Sequence, residues 1–208
     1  MTGDISSVKC DAEFLKLELV GGGLLSRRLA LFPILAQASP SELSGWTLVD
    51  DLHGVCWPEL RDCGPLGLVN TFDLLQEDLY NGALDRLQLA RWQFGDLSKY
   101  DQELVSLWRL ESDMNSGGFL EFYSNWGPAV YERALDSLQI VGAHRTADLV
   151  RRMDEVVGHH YEAVHEEDNR NLYALVTDQE SRRITELESR YWTDSERLSK
   201  LVVLHYLP

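Results

Sequence analysis

Basic residues are scarce in this sequence: 19 Lys and Arg stand against 34 Asp and Glu, a formal net charge of −15. Nucleic-acid phosphates are held by Lys and Arg, so the imbalance argues against direct binding to DNA or RNA. Cysteine is nearly absent. Cys10, Cys56 and Cys63 form an odd set, and the six residues between Cys56 and Cys63 are not a zinc-ligand spacing. The expectation is reduced thiols in a cytosolic protein. Long apolar runs are missing too. The stretch 24–38 is interrupted by Arg27, Arg28 and Pro33 and is too short to cross a bilayer. The N-terminus carries Asp4 and Asp11 where a signal peptide would have a basic start and an apolar core. The expected location is therefore the cytoplasm, with no membrane partner.

Catalytic signatures are lacking as well. Gly21-Gly22-Gly23 has neither the Lys-Ser/Thr ending of a phosphate loop nor a dinucleotide spacing, and reads as a turn. No Gly-x-Ser-x-Gly is present. No pair of carboxylates stands out for acid–base work among so many. His159, His160 and His165 lie beside carboxylates, but only His159 with Glu162, or Glu162 with His165 or Glu166, shares a helical face. Metal ligands on a helix need such three- or four-residue spacing, so polar surface histidines are the default. No catalytic residue, metal or cofactor is assigned.

What the sequence does have is a core and a helical pattern. Of its 208 residues 44% are apolar and 25% charged, enough for a folded domain. The fold class expected is mainly α: a compact multi-helix domain over 71–208, with a Gly-Gly-aromatic elbow. Residues 1–70 form an N-terminal extension, irregular and with room for short strands. Leu15-Lys16-Leu17-Glu18-Leu19 alternates like a strand but also fits a helix ending at Gly21. From Thr71 the stripe Phe72, Leu75, Leu79 is helical, with a break expected at Asn81-Gly82. Asp96 or Ser98 caps the next helix. Val130, Ala134, Leu138 and Val141 line another, opened by Pro128 and closed by Gly142. Thr146 opens a helix through Leu149, Val150, Met153 and Val157 to Gly158. The stretch 161–178 reads as helical, Ile184, Leu187 and Tyr191 form a stripe, and Thr193 with Glu196 reads as a capping box.

The linking stretch is Asn115-Ser116-Gly117-Gly118-Phe119-Leu120-Glu121-Phe122-Tyr123-Ser124-Asn125-Trp126-Gly127-Pro128. Asn and Gly enter left-handed backbone easily, and Phe119, Phe122, Tyr123 and Trp126 recur at helical spacing. The stretch reads as a rigid elbow with aromatic anchors.

Acidic charge is concentrated in two blocks. Residues 50–113 hold thirteen acids and five bases, residues 154–196 twelve acids and four bases, and residues 114–153 between them four of each. In a helix Asp73 and Glu77, or Glu162 and Glu166, lie one turn apart. Like charges there cost a few tenths of a kcal/mol, so either the acids form a solvated face or they serve a basic partner.

The segment Leu110-Glu111-Ser112-Asp113-Met114-Asn115-Ser116-Gly117-Gly118-Phe119-Leu120-Glu121-Phe122-Tyr123-Ser124-Asn125, followed by Ala134-Leu135 and Ile140-Val141-Gly142-Ala143, resembles a bacterial family of domains of unknown function. Its best-known member is a small acidic DNA mimic, DMP-nineteen. Asn115, Gly117, Gly118, Phe119, Phe122, Tyr123 and Asn125 match the family's motif, while Ser116 replaces an Asn and Trp126 stands where small polar residues are usual. The likeness covers about 70–205. It implies a mostly helical fold and, by analogy, a homodimer whose carboxylates imitate DNA phosphates and occupy a basic DNA-binding protein.

The functional expectation is therefore a non-enzymatic acidic binding protein whose partner is a basic DNA-binding protein such as a transcription regulator. The residues expected to meet it are Asp154, Glu155, Glu162, Glu166, Glu167 and Asp168, with Asp73, Glu77 and Asp78 as a second patch. Two alternatives stand beside it. One is an immunity-type or accessory protein that binds one specific protein through the neutral elbow. The other is a small metal-dependent hydrolase using the 159–168 cluster.

Overall fold

A computed structural model of the protein describes residues 3–160 and 172–207. The chain divides into two compact units. One holds the residues up to 78 together with those from 203 onward, the other residues 79–202.

The first unit begins with an antiparallel sheet, β1 (Ile5–Cys10), β2 (Phe14–Leu19) and β3 (Leu24–Arg28), in that order. Leu15, Leu17 and Leu19 alternate into the core, the period of two that a strand requires. This settles the choice between strand and helix for that stretch. The β2–β3 turn runs through Gly21 and Gly22, at φ of 100° and 94°, a conformation that glycine enters without strain. Two short helices follow, α1 (Pro33–Ala36) and α2 (Pro40–Ser44), the second opened by a Ser39–Glu42 capping box.

A second antiparallel sheet is built from β4 (Thr47–Val49), β5 (Gly54–Cys56) and β6 (Val69–Asn70). Its β4–β5 turn places Asp50, Asp51 and Leu52 at positive φ. The first of these is held by Asn70, whose Nδ2 donates to Asp50 Oδ2 at 2.8 Å. Cys56 and Cys63 are joined in a disulfide, their Cα atoms 5.7 Å apart. The pairing corrects the expectation of three reduced thiols: a loop of six residues folds back far enough to bring the two sulfurs together. Cys10 remains a free thiol.

Helix α3 spans Thr71–Leu89 without interruption, so Asn81-Gly82 does not break it. Tyr80, Ala83 and Leu87 are buried. Each fully buried large apolar side chain contributes about 1.5–3 kcal/mol, which outweighs the roughly 1 kcal/mol a mid-helix glycine costs. The chain reverses only after Leu89, through Arg91 and Trp92 at φ of 53° and 65°.

The second unit is all-helical among the described residues. It contains α4 (Lys99–Ser116), α5 (Phe119–Ile140), α6 (His144–Val157), α7 (Leu172–Leu175) and α8 (Asp178–Asp194); the last helix, α9 (Leu198–Tyr206), begins in this unit and its residues from 203 onward belong to the first. Helix α4 packs along α5, α5 on α6, and α6 on α8. The buried stripes are those expected from the spacing: Leu104, Leu107 and Leu110 on α4; Val130, Ala134 and Leu138 on α5; Val150, Met153 and Val157 on α6; Ile184, Leu187 and Tyr191 on α8. Ser98 caps α4, its hydroxyl accepting from the Asp101 backbone N–H.

Helix α5 is kinked at Gly127, at φ 70° and ψ −177°, and Pro128 starts its second half, the position where a missing N–H costs nothing. The helix expected from Thr146 begins two residues earlier, at His144. Thr193 lies inside α8 and opens nothing; Thr177 caps α8, in a box with Glu180. Most of the stretch 161–178 expected to be helical falls outside the described residues. No helix among the described residues is long and apolar enough to cross a membrane.

Candidate functional site

The turn from α4 into α5 concentrates the unusual chemistry of the helical unit. Helix α4 ends at Gly117, whose N–H returns to the Asp113 carbonyl, and Gly118 takes φ 81° and ψ −166°. This region is open essentially to glycine alone. It throws Phe119 straight into the core, where its side chain is fully buried against Phe122, Tyr123 and Tyr131.

Three carboxylates gather around this turn from three helices. Asp113, on the last turn of α4, accepts from Trp126 Nε1 at 2.5 Å and from Asn125 Nδ2 at 3.3 Å. Glu121 of α5 accepts from Asn125 Nδ2 at 3.4 Å and from the Tyr173 hydroxyl at 3.1 Å. Glu188 of α8 takes the backbone N–H of Phe119 at 2.8 Å. Gly118 and Phe119 start a helix with no side-chain cap of their own, and an anion at that terminus meets its unsatisfied N–H groups and its positive dipole end.

The three charges act on one another. Burial, the hydrogen bond to Glu121, and the charges of Glu121, Glu188 and Asp113 together push the Tyr173 hydroxyl up to about 12. Burial also pushes the Asp113 carboxyl up, against the Trp126 and Asn125 donors that favour its charged form. A cation also lies close by. Arg109 stacks over the Trp126 ring at 3.9 Å and the Phe94 ring at 5.2 Å, and its burial brings its pKa down to about 10.

The residues of the matched sequence motif fall into two groups here. Gly117, Gly118, Phe119, Phe122 and Tyr123 make the turn and its packing. Asn125 of α5 ties to α4 by donating to Asp113, while Asn115 donates within α4 to the Glu111 carbonyl at 2.7 Å.

The residues expected to meet a partner are distributed differently. Asp73, Glu77 and Asp78 lie together on α3, but Arg27 reaches Glu77 at 3.4 Å and Asp78 at 2.5 Å. That patch is therefore partly neutralised from β3. On α6, Glu155 is exposed, whereas Asp154 is half-buried and accepts the Tyr131 hydroxyl. Glu162, Glu166, Glu167 and Asp168 lie outside the described residues.

Asp113, Glu121, Glu188, Tyr173 and Arg109 were not singled out by the sequence. Glu188 sits 69 positions from the Phe119 N–H it binds, and no local spacing signals such a contact. Asp113 and Glu121 flank the glycine pair on either side and were the findable members.

A family model described as DMP19-like protein matches residues 95–207, from just before α4 to the end of the described chain. Comparison with the curated proteins and with the solved structures gives no match.

Proposed function

This chain belongs to the DMP19-like protein family, and from that premise we propose that it is a non-enzymatic acidic binding protein, a DNA mimic whose carboxylates occupy the basic surface of a DNA-binding protein such as a transcription regulator. The observation that carries the reading is the convergence of Asp113, Glu121 and Glu188 on the α4–α5 turn, Asn125 bridging the first two, Tyr173 donating to Glu121 and the Phe119 N–H held by Glu188. Partly desolvated charges are screened less by water and salt than a solvated face is, so they project a field that a cationic partner can sense.

The turn at Gly117-Gly118 acts as a rigid elbow that fixes these acids relative to one another, Glu188 being tied to it through the Phe119 N–H. A fixed array presents charge at constant intervals, as a phosphate backbone does, without the entropy cost of ordering side chains on binding. The excess of 34 acids over 19 bases supports the same reading.

The test is affinity capture from native lysate at low salt, eluted with a salt gradient and then, separately, with double-stranded DNA. A DNA-binding protein released by moderate salt and by DNA is the expected outcome, and Glu121→Gln with Glu188→Gln should weaken its retention. Retention that survives high salt and ignores both DNA and the charge-neutral variant would overturn the proposal, as would failure to retain any DNA-binding protein.

A further inference from the structure

The end of α6 and the start of α8 meet in an arrangement of a different kind. After Val157 the chain tightens into a single 3-10 turn, Gly158–His160, which delivers two consecutive imidazoles to the first turn of α8. Their rings lie side by side, centroids 3.9 Å apart. Both present Nε2 to the same atom, Glu180 Oε1, at 3.2 Å from His159 and 3.2 Å from His160. All three ligand atoms fall within 4.8 Å of one another.

Glu180 is held in place independently of the histidines. Its Oε2 accepts from the Thr177 backbone N–H at 2.8 Å and from the Thr177 hydroxyl at 2.7 Å, the two contacts of the α8 capping box. Oε1 is therefore a carboxylate oxygen with a fixed direction. Outer-sphere partners of this kind orient metal ligands in known centres.

Protonation of both imidazoles would place two cations side by side on one carboxylate oxygen, whereas a neutral imidazole presents Nε2 either as an N–H donor or as a bare nitrogen, according to its tautomer. The bare nitrogen of a neutral imidazole is a metal ligand. Tetrahedral zinc with bonds of about 2.0–2.1 Å has ligand–ligand edges of roughly 3.3 Å. The two N–O separations here already match such edges. Two imidazoles and one carboxylate are donors that suit zinc, whereas magnesium and calcium take oxygen donors.

We propose that His159, His160 and Glu180 form a zinc-binding site that clasps the end of α6 to the start of α8. The His159 side chain is 59% exposed, so the cation enters from solvent and keeps a coordination position open to water. The clasp bridges twenty residues of chain, from His160 to Glu180, and so stabilises the folded helical unit through binding linkage.

The full chain, stripped of metal with a chelator and then dialysed, is titrated with zinc against a competing zinc-responsive dye, and its thermal midpoint is recorded with and without zinc. The expected result is one equivalent bound and a raised midpoint, with magnesium giving neither. His159→Ala together with His160→Ala should abolish both effects while leaving His53, His144 and His205 as an internal control for adventitious binding. Glu180→Gln separates ligation from folding, because glutamine at that position still completes the capping box. It should fold as the wild type does yet bind zinc more weakly by more than the roughly 10–100-fold that loss of an outer partner costs. Equal zinc binding by the wild type and the double-histidine variant would overturn the proposal, as would a wild-type protein that takes up no zinc.

Discussion

Replacing Gly118 by alanine tests the α4–α5 turn most directly. Two independent costs follow from the geometry. The backbone at φ 81° and ψ −166° lies where a residue with a Cβ is strained by about 1–3 kcal/mol. The added Cβ would also sit 2.2 Å from Glu188 Oε1 and 2.9 Å from its Cδ, far inside contact distance. Glu188 must therefore swing away and release the Phe119 N–H it holds at 2.8 Å. A hydrogen bond to a charged group is worth about 1.5–3 kcal/mol, and partial exposure of Glu188 puts this one at the low end. The expected loss is about 3 kcal/mol, read as a shift of the urea midpoint followed by tryptophan fluorescence and far-UV circular dichroism. Gly95, with open space around its missing Cβ, supplies the control: Gly95→Ala should stay within about 0.5 kcal/mol. In a Glu188→Ala background the Gly118→Ala cost should fall to the backbone part alone, about 2 kcal/mol, because coupled neighbours do not add. A loss below about 1 kcal/mol in the wild-type background would refute the strained-turn argument. An unchanged cost in the Glu188→Ala background would refute the contact with Glu188.

Three further outcomes are expected. Glu196 accepts from the backbone N–H groups of Arg145 and Thr146 at 2.8 and 2.9 Å and from the Thr146 hydroxyl at 2.7 Å. These bonds outweigh the burial that would raise its carboxyl and hold it at about 2, below the ordinary 4.5. A depressed carboxyl stabilises the fold fully above its unfolded pKa and loses that contribution as pH falls. Glu196→Gln should therefore cost about 1–2 kcal/mol at neutral pH, and the gap to wild type should close between pH 4.5 and 2 in denaturant titrations; a gap independent of pH would refute the assignment. Thiol titration of the denatured chain without reductant should find only Cys10 reactive, and reduction of the Cys56–Cys63 bond should lower stability by about 2 kcal/mol, as its short loop implies. Charge-neutral substitution at Glu121 and Glu188 should shorten the residence of a basic partner at low salt more than at high salt, measured by surface plasmon resonance.

Helical stripes were legible because their signal is local. Val130, Ala134 and Leu138 fall on one face by spacing alone, and so do Ile184, Leu187 and Tyr191. Of the N-terminal sheets, β2 registered through the alternation of Leu15, Leu17 and Leu19, while the second sheet did not. Strands β4, β5 and β6 contain three, three and two residues, too few for alternation to register, and the β4–β5 turn uses Asp50 and Asp51 in place of a glycine signal. Glu196 shows how a correct local pattern can serve a distant end. Thr193-x-x-Glu196 has the form of a capping box, yet α8 continues through Thr193 to Asp194. The glutamate instead caps α6, fifty positions away at Thr146, where Ala143 offers no side chain to do so.

The same difference between order in the chain and position in space bears on the charge. By segment, residues 114–153 are neutral, and the α4–α5 turn within them looked like the uncharged part of the molecule. In three dimensions Asp113 arrives from the acidic block before it and Glu188 from the block after it, and both join Glu121 around Tyr173. The acids expected to be exposed on α3 move the other way, since Arg27 crosses from β3 to meet Glu77 and Asp78. A count along the chain therefore ranks the two places in reverse. If a basic partner is drawn by field strength, the turn is where substitution should matter most. Glu77→Gln with Asp78→Asn, which also frees Arg27, should then change partner binding less than Glu121→Gln with Glu188→Gln. The reverse ranking in the same binding assay would move the interface to α3 and away from the Gly117-Gly118 turn.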